Sequence, residues 1–225
     1  MRHRHRTSSQ TTLVTSTSPG ELSPIEGGIM DACNALHAAR ERDDHARSRE
    51  LTEELFRLLD AYDASDGDNH PNPAWSRPNQ RALALSAMGR TGEAIEAERV
   101  ALKYADTPRR KEISLGNLAD RYLRLGMPDE AVECFLRAWT VAPHSIPIML
   151  TGVQALYEAG RPNEANAIAE ALLDMPELLH EGSELTAYLD YEPKLRRIDL
   201  PAINELRRRW NAARPGAVRS EGGAS

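Results

Sequence analysis

The sequence predicts an all-α fold, a solenoid of helical hairpins, on three observations. Apolar residues fill 40 % of the 225 positions and aromatic ones only 5 %, a balance carried by Ala and Leu that favours packed helices over strands. Apolar positions recur at spacings of three and four, the period of a helix face. A short phrase, GRTGEA from Gly89, GMPDEA from Gly126 and GRPNEA from Gly160, returns after 37 and then 34 residues, an interval typical of helix–turn–helix repeats.

In chain order, residues 1–28 are rich in Ser, Thr, Gly and Pro and are expected to be a disordered tail. The histidines of MRHRHR are expected to be solvated rather than metal-bound. From Asp31, a candidate cap, Ala32, Ala35, Leu36 and Ala39 share one face. A second helix is predicted from His45 to Tyr62, with Leu51, Leu55, Leu58 and Leu59 as its buried stripe. These form an N-terminal helical pair over 29–63 that lacks a turn glycine. Residues 64–78, broken by Gly67, Pro71, Pro73 and Pro78, predict a linker. Its acids fit no calcium loop, because placing Gly67 at the obligatory glycine puts Tyr62 and Ala64 where carboxylates belong. No metal or other cofactor is expected.

The repeat domain is predicted over 79–214. Each part of its recurring phrase has a mechanical reason. The glycine ends a first helix in a left-handed conformation that a side chain makes costly. Pro128 and Pro162 open the second helix, where a missing N–H does no harm. Ala94, Ala131 and Ala165 are expected where two helices cross closely.

The middle copy, EISLGNLADRYLRLGMPDEAVECFLRAWTVAP, resembles one complete tetratricopeptide repeat (TPR). Leu115, Leu118, Ala119 and Tyr122 match the core face of that family's first helix and Gly126 its turn. Ala131, Phe135 and Ala138 match its second helix, and Pro143 the terminating proline. The flanking copies depart from the pattern: Glu98 and Ala169 stand where an aromatic residue is usual, and Leu172 replaces a small one. The resemblance covers residues 75 to 177 and implies a right-handed solenoid of about three repeats with a capping helix. It also implies a concave groove lined by the first helices, which holds a peptide or protein partner.

Carried over residue by residue, the groove comprises Asn79, Leu83 and Ser86 from the first copy. The second supplies Gly116, Asp120, Leu123 and Arg124, with Asn117 beside them, and the third Leu150, Gln154, Tyr157 and Glu158. Some family members clamp a terminal carboxylate with lysines, an arginine and asparagines. Here only Asn79, Asn117 and Arg124 match, without a lysine, which argues against that ligand.

Beyond the repeats, a helix is predicted at Glu184–Tyr191, stopped by Pro193. A last one begins at Asp199–Pro201, with Ile203, Leu206, Trp210 and Ala213 on one face, the two-faced pattern a solenoid cap needs. Residues 215–225 are expected to be a second disordered tail. The net charge of -6 divides unevenly, with -12 over residues 31–193 and +6 over 194–219. Arg196, Arg197, Arg207, Arg208 and Arg209 could therefore meet nucleic acid or another anionic surface, or the acidic body of their own chain. The latter is favoured, since residues 151–193 alone carry a net -8.

No nucleophile with a base, paired carboxylates or phosphate loop has usable spacing, so a non-catalytic adaptor is expected. Cys33 and Cys134 have no partner spacing and are expected to be buried thiols. The basic N-terminus lacks a signal-peptide apolar run and no stretch is long enough to span a membrane, so a cytoplasmic location is expected. Self-association through the groove is a further possibility.

Overall fold

The computed structural model describes residues 23–65, 70–175 and 195–213. Among them all regular structure is helical. The helices are α1 (Pro24–Glu41), α2 (His45–Ala64), α3 (Pro73–Ala87), α4 (Thr91–Tyr104), α5 (Pro108–Arg124), α6 (Pro128–Val141), α7 (Ile146–Glu158), α8 (Pro162–Leu173) and α9 (Pro201–Ala213), with a 3-10 turn at Leu195–Arg197. Successive helices pair as α1–α2, α3–α4, α5–α6 and α7–α8. Each later first helix also packs on the second helix of the hairpin before it, and the first helices touch one another in order, α1 on α3, α3 on α5 and α5 on α7.

The phrase residues behave as their chemistry dictates. Gly89, Gly126 and Gly160 have φ of 75°, 70° and 72°, the left-handed turn that a Cβ would strain. Pro128 and Pro162 sit in the first turns of α6 and α8. Ala94, Ala131 and Ala165 are wholly buried. In the first pair Asp43, with φ of 56°, turns the chain without glycine, a conformation that Asp tolerates better than most residues.

Two expected boundaries are corrected. Residues 24–28 are not tail: α1 starts at Pro24, and Ser23 closes a capping box with Glu26. Asp31 consequently lies inside α1 and caps nothing. Residues 73–78 are not linker: α3 starts at Pro73, where the Asn72 side chain accepts from Trp75 N at 3.0 Å. Trp75, 2 % exposed, anchors that turn. Pro78 lies within the helix, and the carbonyl it leaves without an amide donor belongs to Ala74, on the exposed side.

The N-terminal pair joins the repeats through a shared apolar core, in which Ile29, Leu36, Leu51 and Leu55 meet Leu83, Ala84 and Ala87. Arg40 reinforces the joint by donating to the Ala87 carbonyl at 2.6 Å and to that of Met88, at the C-terminal end of α3. At the other end α9 packs on α8 with Ile203 and Leu206 fully buried. Arg209 donates to the Leu173 carbonyl at 3.1 Å. The helix expected at Glu184–Tyr191, its stop at Pro193 and both expected tails other than 23–28 lie outside the described residues.

Candidate partner-binding surface

Six residues of the expected groove are buried by the chain itself: Asn79, Leu83, Ser86, Leu123, Leu150 and Gln154. Leu83 belongs to the core shared with α1 and α2, and Leu123 and Leu150 to the large core that runs to α9. These side chains hold helices together and are not free to meet a partner. Gly116 gives α7 room, since a Cβ there would lie 2.9 Å from Ile148 Cδ1.

The accessible remainder is half-buried Asn117, Asp120 and Tyr157 with exposed Arg124 and Glu158. Apart from Asn117 these cluster toward the C-terminal ends of α5 and α7. Arg124 donates to Asp120 at 2.7 Å, and Gln154 to Glu158 at 3.0 Å. His37 of α1 joins this region. Burial depresses its pKa, and the nearby Arg124 and Arg40 depress it further, while Glu41 and Asp120 oppose them. The surface is therefore mixed in charge, with a neutral imidazole beside an ion pair, and draws on α1 as well as the repeats.

Beneath it lies a polar knot that the spacing did not reveal. Glu98 of α4 has no exposed surface and accepts from Asn79 Nδ2 at 3.0 Å, Asn117 Nδ2 at 3.3 Å and Arg121 Nη1 at 3.0 Å. Ser114 adds a further bond to it and accepts from Trp75 Nε1 at 3.1 Å. The two asparagines expected to meet a partner thus bind the chain's own carboxylate. The departure of Glu98 from the usual aromatic residue was the available signal. Its counterpart Arg121, 2 % exposed, lies in the next hairpin and carried no local mark.

Burial pushes the Glu98 carboxyl above its ordinary range, and Arg121 with the other donors only partly draws it back. The folded chain then holds that proton more tightly than the unfolded chain. The stability this contributes is present below the ordinary value and wanes as pH rises through the raised one. Relative to Glu98→Gln, the native protein is expected to gain stability in urea melts as pH falls from neutrality toward 4.5. A flat or opposite difference would contradict the upward shift.

The arginines of α9 are largely engaged at home. Arg208 and Arg209 both donate to Glu205, at 2.7 and 2.8 Å, holding its carboxyl down to about 2. Arg207 donates to the Ile198 carbonyl at 3.0 Å and to Asn204. Arg197 is exposed, and the Arg196 side chain lies outside the described residues. Cys33 and Cys134 are buried free thiols, pushed by burial up to about 12 and about 11, which leaves little thiolate for chemistry. Among the described residues no helix is long and apolar enough to cross a membrane.

No family model matches this chain. Neither a curated protein nor a solved structure matches it either.

Proposed function

We propose that the chain is a non-catalytic binding module, a TPR-like solenoid that holds a peptide or protein partner as a cytoplasmic adaptor. The observation that carries this reading is that Asp120, Arg124, Tyr157 and Glu158 stay accessible on first helices that pack in series. Such a series supports a continuous wall, and an ion pair on one first helix with an accessible tyrosine on the next offers polar and apolar contact together. Its accessible part is narrower than the resemblance implies and extends instead to His37. The double variant Asp120→Ala/Tyr157→Ala is expected to lose partner capture while its helical circular dichroism stays native. Undiminished capture would remove the groove from the account.

Binding of nucleic acid through the arginine-rich helix is the weaker reading, because Arg207, Arg208 and Arg209 already bond within the chain. Exposed pairs of this kind are worth little, so the matter is decided by titration. The protein is expected to pass through a heparin column at low salt. Retention that falls steeply as salt is raised would favour the anionic-surface reading.

A further inference from the structure

Among the described residues the buried acids are Glu26, Glu98 and Glu112, 5 %, 0 % and 8 % exposed. They stand one at each seam between successive hairpins. Glu26 of α1 accepts from Tyr62 of its own hairpin at 3.0 Å and from Gln80 of the next at 3.2 Å. Glu98 of α4 accepts from Asn79 of its own hairpin and from Asn117 and Arg121 of the next. Glu112 of α5 accepts from Arg109 of its own helix at 2.8 Å and from Ser145, the residue just before α7, at 2.7 Å. The pattern is the same each time: a carboxylate taken out of water, bonded within its own hairpin and at least once across the seam.

We propose that these glutamates form a set of seam pins that fix which hairpin stacks on which, and in what register. Hairpins built on one phrase present similar Ala and Leu faces, so apolar burial alone distinguishes poorly between the right neighbour and a wrong one, in the same chain or in a second copy. A buried carboxylate does distinguish. A misplaced hairpin strips it of the donors that complete its shell from across the seam, whereas the native neighbour supplies them. The three sets of donors differ: a backbone amide, a phenol and a side-chain amide on Glu26, a guanidinium with two side-chain amides and a hydroxyl on Glu98, and a guanidinium with a hydroxyl on Glu112. A slipped or swapped stack therefore cannot satisfy all three.

The test replaces a pin by apolar residues of similar size in the full chain, Glu98→Leu/Arg121→Met/Asn79→Leu, and reads uniqueness rather than stability. The native protein has three tryptophans and is expected to give one indole N–H resonance for each. The variant is expected to keep its helical circular dichroism, to split the resonance of Trp75, whose indole bonds to Ser114 of the knot, and to associate with rising concentration in light scattering. A native-like single set of resonances from a variant no more associated than the native chain overturns the proposal. Loss of helicity overturns it too, since the knot would then supply stability and not order. Glu26→Leu/Gln80→Leu repeats the test at the first seam by the same readouts, and a unique native-like spectrum there counts equally against the pins.

Discussion

Arg121→Ala is expected to destabilise the fold by about 3–5 kcal/mol, the usual cost of removing one partner of a buried ion pair. Arg121 Nη1 lies 3.0 Å from Glu98 Oε2, and the two side chains are 2 % and 0 % exposed. Without the guanidinium the carboxylate keeps Asn79 and Asn117 as donors but loses its countercharge, and at neutral pH it must either stay charged in an apolar seam or take up a proton. For a chain of this size the loss corresponds to a fall of about 6–20 °C in the melting temperature. Acidification should shrink the deficit, because a protonated Glu98 no longer needs the arginine. A variant that melts within about 2 °C of the native chain would show that water reaches the seam.

Gly152→Ala is the second large effect. A Cβ at position 152 would lie 2.2 Å from Phe135 Cε2 and 2.5 Å from two further ring atoms. Phe135 is 2 % exposed and held edge-on against Trp139, so the ring cannot withdraw without moving α6 against α7. Overpacking of this kind costs about 1–3 kcal/mol or more, and the better helix propensity of Ala recovers no more than about 1 kcal/mol of it. Gly116→Ala is the control: its Cβ meets a single atom, the Cδ1 end of the Ile148 side chain at 2.9 Å, which a small shift relieves. Urea denaturation should therefore rank Gly152→Ala well below the native chain and Gly116→Ala close to it. Equal stabilities would mean that the α6–α7 contact is looser than described.

The features legible in the sequence are those whose cause is local. A left-handed turn favours glycine, so Gly89, Gly126 and Gly160 announced three hairpins, while Asp43 made its turn unannounced. A crossing without room needs alanine, and Ala94, Ala131 and Ala165 are buried as their place in the phrase implies. The start of α1 is local as well, a Ser23–Glu26 capping box with Pro24 in its first turn, and was masked only by the Ser, Thr and Pro content of the stretch before it. The knot was hidden for a different reason: nothing near Glu98 in sequence marks Arg121 as its counterpart. Helical spacing placed Leu83, Leu150 and Gln154 on the expected face of their helices. It could not say how far neighbouring elements cover that face, and all three are buried.

Panning a random peptide library against the immobilised native chain, then titrating the selected peptides by fluorescence anisotropy, tests the binding surface most directly. Affinity is expected to fall at least about tenfold, ~1.4 kcal/mol, on Asp120→Ala/Arg124→Ala/Tyr157→Ala. It should be unchanged on Glu93→Ala/Glu164→Ala, which alters exposed positions of the second helices α4 and α8. Peptides that bind both variants equally well, or a library from which the native chain selects nothing, would contradict a partner-binding wall on the first helices.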